Sequence, residues 1–154
     1  MISKTRLAIG AVALSASGLV GILGYEGFTS EAVIPVPGDV PTLGWGTTDG
    51  VKLGDTITPD EAIERAYRDI AKTESAIHKC VDVPLSQGEY DAFTSLAYNI
   101  GASAFCSSTL VKKLNQRDYA GACQEIRRWV FVKGKKVQGL VNRREKEYSI
   151  CMSR

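Results

Sequence analysis

The chain has 154 residues, of which 44% are hydrophobic and 23% are charged, and its formal net charge is +2 at pH 7. This length fits one domain or two small lobes, which bury about two-thirds of the surface of the unfolded chain. No long tract of Pro, Gln or Ser is present, so the composition argues against a disordered or low-complexity protein.

The charges are unevenly distributed along the chain. Residues 26–110 contain 5 basic and 13 acidic side chains, a balance of −8, whereas residues 111–154 contain 12 basic and 4 acidic side chains, a balance of +8. A cationic C-terminal third suits an anionic partner such as nucleic acid, a lipid surface or the bacterial wall. A solvated helical face with surplus lysines explains the same charge equally well.

Residues 7–24 form an uncharged stretch that follows Lys4 and Arg6. Eighteen uncharged residues are about the minimum for crossing a bilayer, and the two basic residues orient that end toward the cytoplasm. Ten of the eighteen are Ala, Gly or Ser, so the driving force for insertion into lipid is weak.

Three interpretations of this stretch compete. It can be a cleaved signal peptide with small residues at 16–18, a permanent anchor, or a segment that inserts and later leaves the membrane. The weak hydrophobicity favours the third, with the signal peptide as its rival. We therefore divide the chain into residues 1–24, a signal-anchor or signal peptide, and residues 25–154, a separate folded domain.

Turn and capping signals organise the rest of the chain. Residues 25–57 are rich in Gly, Pro and Thr, which predicts turns and a small hairpin sheet. Thr58 with Glu61, and Ser86 with Glu89, are capping-box pairs that predict the start of a helix.

Helices are predicted through most of the C-terminal half. Gly101 is a natural stop for the helix that begins near Ser86. Shorter helices are expected over residues 107–116, 118–130 and 138–151. The prediction is therefore an α+β fold in two lobes, with a small β region near the start and a helical remainder.

Four cysteines, Cys80, Cys106, Cys123 and Cys151, lie outside the N-terminal segment, and none forms a CxxC pair. An even count beside an apparent export signal favours two disulfides in an oxidising compartment, whereas four free thiols in a cytosolic protein is the alternative. Three connectivities are possible. We prefer Cys123 with Cys151, because each lies on a predicted C-terminal helix, which leaves Cys80 with Cys106.

A short segment, Gly24 to Phe28 (GYEGF), is followed by a second, PVPGDVPTLGWGTTDG, from Pro35 to Gly50. Together they resemble the phage-type lysozymes of glycoside hydrolase family 24, the endolysins with which tailed phages cut the host wall. Those enzymes carry a glutamate at the end of the first helix and later a T-I-G-x-G motif, which residues 42–46 match closely. Further stretches continue the resemblance, at residues 88–101, 106–115 and 139–145 and around Trp129.

The resemblance implies a lysozyme-like α+β fold, with a small β-hairpin lobe and a mainly helical lobe preceded by an N-terminal hydrophobic helix. It implies a muramidase that hydrolyses the β-1,4 bond between N-acetylmuramic acid and N-acetylglucosamine in peptidoglycan and thereby lyses the host. No metal, organic cofactor or nucleic acid partner is implied, and a monomer is expected. The implied location is the host inner membrane, through residues 7–24, and then the periplasm.

The resemblance also assigns the catalytic residues. Glycoside cleavage needs a protonated carboxylic acid at the leaving oxygen and, opposite it, groups that place water and stabilise positive charge. Glu26 matches the acid, and Thr42 matches the water-orienting threonine. The alternatives are a solvated carboxylate at a helix end for Glu26 and a locally packed strand hydroxyl for Thr42.

The second carboxylate departs from the family pattern, which is commonly Glu-x8-Asp-x5-Thr. Pro35 and Val36 occupy the positions counted from Glu26 and from Thr42, and neither can act as a base. The nearest carboxylate is Asp39, with twelve residues between it and Glu26 and two between it and Thr42. Asp39 is therefore assigned only by residue type within a displaced turn, and it is otherwise the polar residue of a Gly-Asp turn.

Gly44 and Trp45 are the candidate substrate-binding residues. A glycine keeps the strand slim where a glycan passes, although turn geometry alone also selects glycine. Trp45 can form a wall on which sugars stack, although an aromatic residue in a small sheet is more often part of the core. The basic residues Arg127, Arg128, Arg143 and Arg144 either contact wall carboxylates or decorate helix surfaces.

Two other functions fit the sequence. A lytic transglycosylase needs one acid/base and gives 1,6-anhydro products, which the displaced aspartate leaves open. A non-catalytic, basic wall-binding or membrane-disrupting protein relies instead on the cationic C-terminal third.

Overall fold

A computed structural model describes residues 4–153. Within these residues the fold is α+β and mostly helical, as predicted. The helices and strands in chain order are α1 (Ala16–Glu26), β1 (Thr29–Val33), β2 (Thr42–Gly44), α2 (Pro59–Cys80), α3 (Gln87–Ile100), α4 (Ala102–Cys106), α5 (Thr109–Asn115), α6 (Tyr119–Glu125), β3 (Phe131–Val132), β4 (Lys135–Lys136) and α7 (Gln138–Met152).

The chain divides into two compact units. The small unit is Leu19–Lys72, and the large unit combines the chain up to Gly18 with the chain from Thr73 onward. The boundaries fall inside α1 and α2, so these two helices contribute residues to both units.

The two predicted capping boxes are confirmed. The hydroxyl of Thr58 accepts a hydrogen bond from the Glu61 N–H at 3.3 Å, and the Glu61 carboxylate accepts one from the Thr58 N–H at 3.0 Å. Ser86 and Glu89 make the same reciprocal pair at the start of α3. These bonds satisfy backbone donors that no residue inside the helix can satisfy, which fixes where α2 and α3 begin.

The core of the large unit is built around α3, which packs against α7. Buried side chains of α3 include Tyr90, Phe93, Leu96 and Ala97. Both disulfides form as predicted, with Cα–Cα distances of 5.6 Å for Cys80–Cys106 and 5.8 Å for Cys123–Cys151.

A buried ion cluster links α7 to α3. Glu147 is 0% exposed, accepts a hydrogen bond from the Ser95 hydroxyl at 2.6 Å, and forms ion pairs with Arg143 and Arg144. The Arg144 guanidinium also donates to the carbonyl of Trp129 at 2.9 Å. The expectation that Arg143 and Arg144 face the wall or solvent is therefore wrong, because both guanidiniums are buried against Glu147.

The N-terminal hydrophobic segment does not form the single helix that was expected. Residues 9–11 form a 3-10 turn, and a helix begins only at Ala16. The backbone N–H of Leu14 donates to Glu74 at 2.7 Å, and the N–H of Ser15 donates to Asp91 at 2.9 Å. A continuous α-helix commits these N–H groups to its own carbonyls, so the contacts with the two carboxylates interrupt it. In the part of the chain that the structure describes, no helix has the length and apolar character needed to cross a bilayer.

The short C-terminal helices differ in detail from the prediction. The region of 107–116 contains α5, and 138–151 matches α7, but the helix predicted over 118–130 ends as α6 at Glu125. A 3-10 turn and an antiparallel hairpin follow, in which Phe131 pairs with Lys136 and Val132 with Lys135. Strands of two residues are too short to show a periodic pattern, which explains why the sequence did not predict them.

The small unit contains the predicted β region. Strands β1 and β2 pair antiparallel, with Thr29 opposite Gly44 and Val33 opposite Thr42. Residues 55–57 add a third extended segment beside β1. The Ala32 N–H donates to the Asp55 backbone carbonyl, and the Ile57 N–H donates to the Ser30 backbone carbonyl. The apolar core of this unit consists of Ala32, Leu43, Val51, Ile57 and Ala62.

The buried ion cluster predicts a large difference between two glutamates of α7. We expect Glu147→Ala to lower the free energy of unfolding by about 3–5 kcal/mol, because it leaves buried guanidiniums without a counterion. Glu145 pairs with Arg127 at the surface, where Glu145→Ala costs under about 1 kcal/mol. Urea unfolding of both variants measures the difference, and equal losses would contradict it.

Candidate active site

Glu26 is the last residue of α1. Gly27 follows with φ +69°, a left-handed conformation that ends the helix, and its N–H still donates to the Leu23 carbonyl at 3.2 Å. One turn earlier, Ile22 is fully buried. The helix therefore ends in a defined place, and its half-buried final side chain is the carboxylate that the sequence selects as the acid.

The T-L-G-W-G motif begins as strand β2 and then turns back in a tight loop over residues 43–47. The Leu43 N–H donates to the Thr47 carbonyl at 2.9 Å, and the Thr47 N–H donates back to Leu43 at 3.1 Å. Between them, Gly44 and Gly46 have φ values of +63° and +81°, which only glycine adopts without strain. The buried Thr47 hydroxyl donates to Asp69 of α2 at 2.9 Å and so ties the loop to that helix.

Gly46 places the loop directly against the Glu26 carboxylate. A Cβ atom built on Gly46 lies 3.1 Å from Glu26 Oε2 and 3.4 Å from its Cγ. The absence of a side chain at Gly46 thus leaves the space that the carboxyl group occupies. Sequence reasoning placed Gly46 in the motif but not among the site residues, because spacing alone does not show which glycine contacts the acid.

Gly44 has a packing role in the structure. A Cβ atom on Gly44 lies 2.9 Å from the Cβ of Ala62 on α2, so the strand and the helix come together only where no side chain intervenes. The role of Gly44 in binding substrate stays a prediction.

Trp45 lies between the two glycines of the loop. It packs against the core of the small unit, and its ring is 5.0 Å from the ring of Phe28 at an interplanar angle of 51°. The side chain is half-buried, so part of the indole remains accessible. Its suggested contact with sugar stays a prediction.

Asp39 lies in an exposed turn before β2. The Asp39 N–H donates to the Val36 carbonyl at 2.9 Å, and its carboxylate accepts the Val40 N–H at 3.0 Å. Thr42 opens β2, and its hydroxyl donates weakly to the Val40 carbonyl at 3.4 Å. The structure brings Glu26 together with the 43–47 loop. The catalytic roles of Asp39 and Thr42 stay predictions.

No group of three or more His, Cys, Asp or Glu side chains within residues 4–153 is arranged to hold a metal ion.

Comparison with known proteins gives consistent results over nearly the whole chain. The family model described as phage lysozyme matches residues 24–147. An endolysin of Acyrthosiphon pisum secondary endosymbiont phage 1 is 41% identical over 144 residues, which cover 91% of this chain and 98% of the endolysin. A SAR-endolysin of Enterobacteria phage P21 is 34% identical over 93% of this chain and 88% of its own. The solved endolysin from Escherichia coli O157:H7 phage FAHEc1 aligns with a TM-score of 0.81 at 38% identity, over 94% of this chain and 96% of that one.

The contact between Gly46 and Glu26 predicts an effect that a matched glycine does not share. Gly46→Ala and Gly50→Ala both force a residue with a side chain into a left-handed conformation, at a cost of about 1–2 kcal/mol. A Cβ on Gly50 meets nothing within 4 Å, whereas a Cβ on Gly46 lies 3.1 Å from Glu26 Oε2, so the carboxylate must shift by a few tenths of an ångström. We expect similar losses of thermal stability, but at least a roughly tenfold slower cleavage of purified peptidoglycan for Gly46→Ala alone. Equal rates for the two variants would contradict this placement.

Proposed function

The chain belongs to the phage lysozyme family, and on that premise we propose that it is an endolysin, a muramidase that cleaves host peptidoglycan. The bond hydrolysed is the β-1,4 link between N-acetylmuramic acid and N-acetylglucosamine. The observation that carries the proposal is the Glu26 carboxyl group seated against Gly46 of the T-L-G-W-G loop.

Glu26 is the proposed general acid. Its carboxyl proton passes to the glycosidic oxygen as the C1–O bond breaks, so that the leaving sugar departs as a neutral alcohol. The Glu26 carboxyl group is half-buried at the end of a helix and lies against Gly46. Its position is therefore restricted, and such restriction lowers the entropy cost of the reaction.

Asp39 and Thr42 are the proposed partners on the opposite side of the sugar. A water molecule attacks C1 and loses its proton to Asp39, while the Thr42 hydroxyl orients the water, which gives inversion at C1. The Asp39 carboxylate accepts only one hydrogen bond in its turn, from Val40, so the lone pairs of its second oxygen are not used by that bond.

Product analysis tests the reaction and its acid. We expect the purified full-length chain to release fragments with hydrated, reducing-end muramic acid from peptidoglycan, and Glu26→Gln to abolish that release while the protein stays folded. Glu31→Gln is the matched control, because Glu31 is an exposed carboxylate of β1 in the same unit. Mass spectrometry of the fragments measures the outcome.

Two results would overturn parts of this assignment. Fragments that are one water lighter indicate 1,6-anhydro ends, hence a lytic transglycosylase in which Asp39 is not a base. Unchanged cleavage by Glu26→Gln removes Glu26 from the reaction. Asp39→Asn and Thr42→Ala, measured in the same assay, test the two roles separately.

We also propose that residues 7–24 first hold the enzyme in the host inner membrane and later leave it, after which the enzyme acts in the periplasm. The relative from phage P21 carries the name SAR-endolysin, and residues 7–24 of this chain are uncharged and only weakly apolar. Because the segment contains no cysteine, its release does not involve disulfide exchange within it.

The glycines of the segment support this proposal. In the folded structure Gly18 is closely packed, because a Cβ there lies 2.7 Å from Leu14 Cδ1 and 2.9 Å from Asp91 Cγ. A Cβ on Gly21 or Gly24 meets nothing within 4 Å, although each glycine inside α1 costs about 1 kcal/mol relative to alanine. Folded packing does not explain Gly21 and Gly24, whereas a segment that must remain a weak membrane anchor does.

The contacts of residues 4–15 support the proposed release, because they are available only outside the membrane. Arg6 forms an ion pair with Glu89 at 2.7 Å, and its guanidinium lies 3.6 Å from the centre of the Tyr119 ring. The Ser15 hydroxyl donates to Asp91 at 2.5 Å, directly before the helix that ends in Glu26. These contacts need residues 4–15 on the same side of the membrane as α3, so the anchored and docked forms exclude each other.

The Arg6–Glu89 pair predicts the stability of the docked form. Arg6→Met leaves the Glu89 carboxylate, 1% exposed, without its main counterion, so we expect a loss of about 3 kcal/mol in the free energy of unfolding. Lys4→Met is the control, because it also removes one positive charge that flanks the anchor. Lys4 Nζ lies 3.8 Å from Glu89 Oε1, a longer ion pair, so we expect a smaller loss. In the double variant Arg6→Met/Glu89→Gln much of the loss is expected to be recovered.

The same pair sets a pH dependence. Burial alone raises the pKa of Glu89, but the hydrogen bonds from Arg6 and the Ser86 N–H outweigh it, so this pKa lies below its ordinary value. The stability that the pair contributes is therefore fully present above the unfolded pKa of about 4.3 and is lost as the pH falls below it. Urea unfolding at a series of pH values measures this loss of stability. We expect the free energy of unfolding of Arg6→Met to fall less steeply at acid pH than that of the wild type. An equally steep fall would exclude Glu89 as its source.

A further inference from the structure

Five basic side chains of the cationic C-terminal third pair with three carboxylates of the same region. Arg143 and Arg144 are buried on Glu147, Arg127 pairs with Glu145 at 2.8 Å, and Lys113 and Arg128 share Glu125 at 2.6 and 2.9 Å. These arginines and Lys113 are therefore engaged with carboxylates of their own chain.

A short hairpin concentrates positive charge at the surface. The basic hairpin, residues 130–137, contains Lys133, Lys135 and Lys136, all exposed, and no acidic residue occurs between Glu125 and Glu145. The proposed hydrolysis of glycan assigns no role to this hairpin.

The geometry of the basic hairpin is well defined. Val132 pairs with Lys135 across a two-residue turn, and the Val137 N–H donates to the Val130 carbonyl at 2.9 Å. The turn residues Lys133 and Gly134 both have left-handed φ values, +48° and +76°, as a tight hairpin of this length requires. The lysines are therefore held on a short, ordered element.

The hairpin also exposes hydrocarbon beside the charge. Phe131 is 60% exposed, Val132 is 44% exposed and Val137 is 38% exposed, while Val130 at the base is buried. Phe131 lies opposite Lys136, and Val132 lies opposite Lys135, so each cross-strand pair combines an apolar side chain with a cation. The two pairs lie on opposite faces of the hairpin, because successive side chains of a strand alternate.

This combination selects one kind of partner. Peptidoglycan presents carboxylates without acyl chains, and the β-branched Val132 and Val137 stack poorly on nucleic acid bases, which prefer planar rings. An anionic phospholipid bilayer offers both kinds of contact. Its headgroup phosphates can pair with the lysines, and the acyl chains just beneath them can accept the phenylalanine ring. We propose that the basic hairpin binds the surface of an anionic phospholipid bilayer.

Binding of this kind is weak and reversible. Each lysine near an anionic membrane surface strengthens partitioning of the protein onto the membrane by about fivefold. At an ionic strength of about 0.1 M, salt screens this attraction at distances beyond about 10 Å. The hairpin thus keeps the chain close to a membrane after residues 7–24 have left it, without anchoring it. The inference rests on the proposed function only for the compartment and does not depend on the hydrolysis itself.

Vesicle sedimentation of the full-length chain tests the proposal. The probe is an equimolar mixture of phosphatidylglycerol and phosphatidylethanolamine, with pure phosphatidylcholine as the uncharged comparison. We expect Lys135→Gln/Lys136→Gln to weaken binding to the anionic vesicles by at least about tenfold. We expect Phe131→Ser to weaken it severalfold and raised salt to weaken wild-type binding.

The matched control is Lys79→Gln/Lys112→Gln, which removes two exposed lysines and gives the same net charge. The N-terminal segment is identical in every variant, so its own affinity for lipid cancels from the comparison. Equal weakening by the control pair, or wild-type binding by both hairpin variants, would overturn the proposal. A hairpin variant that loses binding to insoluble peptidoglycan but keeps binding to vesicles would assign the hairpin to the wall instead.

Hydrolysis of soluble glycan fragments, measured in parallel, separates this inference from the proposed function. Hairpin variants that cleave at the wild-type rate but no longer sediment with anionic vesicles support the membrane surface. A wild-type chain that sediments through its hairpin but cleaves nothing would overturn the muramidase while leaving the membrane inference in place.

Discussion

The ion pair between Arg6 and Glu89 is the interaction on which the large unit depends. Glu89 is buried and caps the first turn of α3, where its carboxylate accepts the Ser86 N–H at 2.9 Å. A buried carboxylate is strongly unfavourable unless a cation and hydrogen-bond donors surround it. The cation comes from the far N-terminus, across 83 positions of sequence, so the central helix of the unit and the first residues of the chain stabilise each other.

Further contacts of the N-terminal residues lead along the chain to the beginning of α1. The chain runs from Arg6 through a bridge between Leu7 and Leu85 to Ser15, which hydrogen-bonds to Asp91, and then directly into the helix whose last residue is Glu26. Each contact joins a polar group of residues 6–15 to residues 85–91, within the large unit. The geometry at the beginning of α1 therefore depends on a segment whose sequence also suits a membrane.

Local signals were sufficient to predict part of this fold, and distant partners decided the rest. The capping boxes at Thr58 and Ser86 are complete within four residues, so α2 and α3 were predicted correctly. The predicted N-terminal hydrophobic helix forms only from Ala16 onward, because the carboxylates that bind the N–H groups of Leu14 and Ser15 belong to Glu74 and Asp91, 60 and 76 residues further along the chain.

The candidate site divides in the same way. The T-L-G-W-G motif identified the loop, but only the folded chain shows that Gly46 contacts Glu26 and that Gly44 contacts Ala62, since both glycines look alike in sequence.

The burial of Arg143 and Arg144 was partly predictable, because Glu147 stands four and three residues away, at helical spacing. Their depth in the core depends on α3 and could not be predicted from α7 alone.

The two environments of the N-terminal segment must be close in free energy for it to change from one to the other. Eight of its eighteen residues are Leu, Ile or Val, which contribute about 0.3–0.6 kcal/mol each to insertion, while glycine and serine oppose it. Insertion is thus favourable by at most about 2–5 kcal/mol. One buried ion pair and a few hydrogen bonds of about 1 kcal/mol each are of the same size. A segment richer in leucine would not leave the membrane, and a segment without Arg6 and Ser15 would gain little by docking on the large unit.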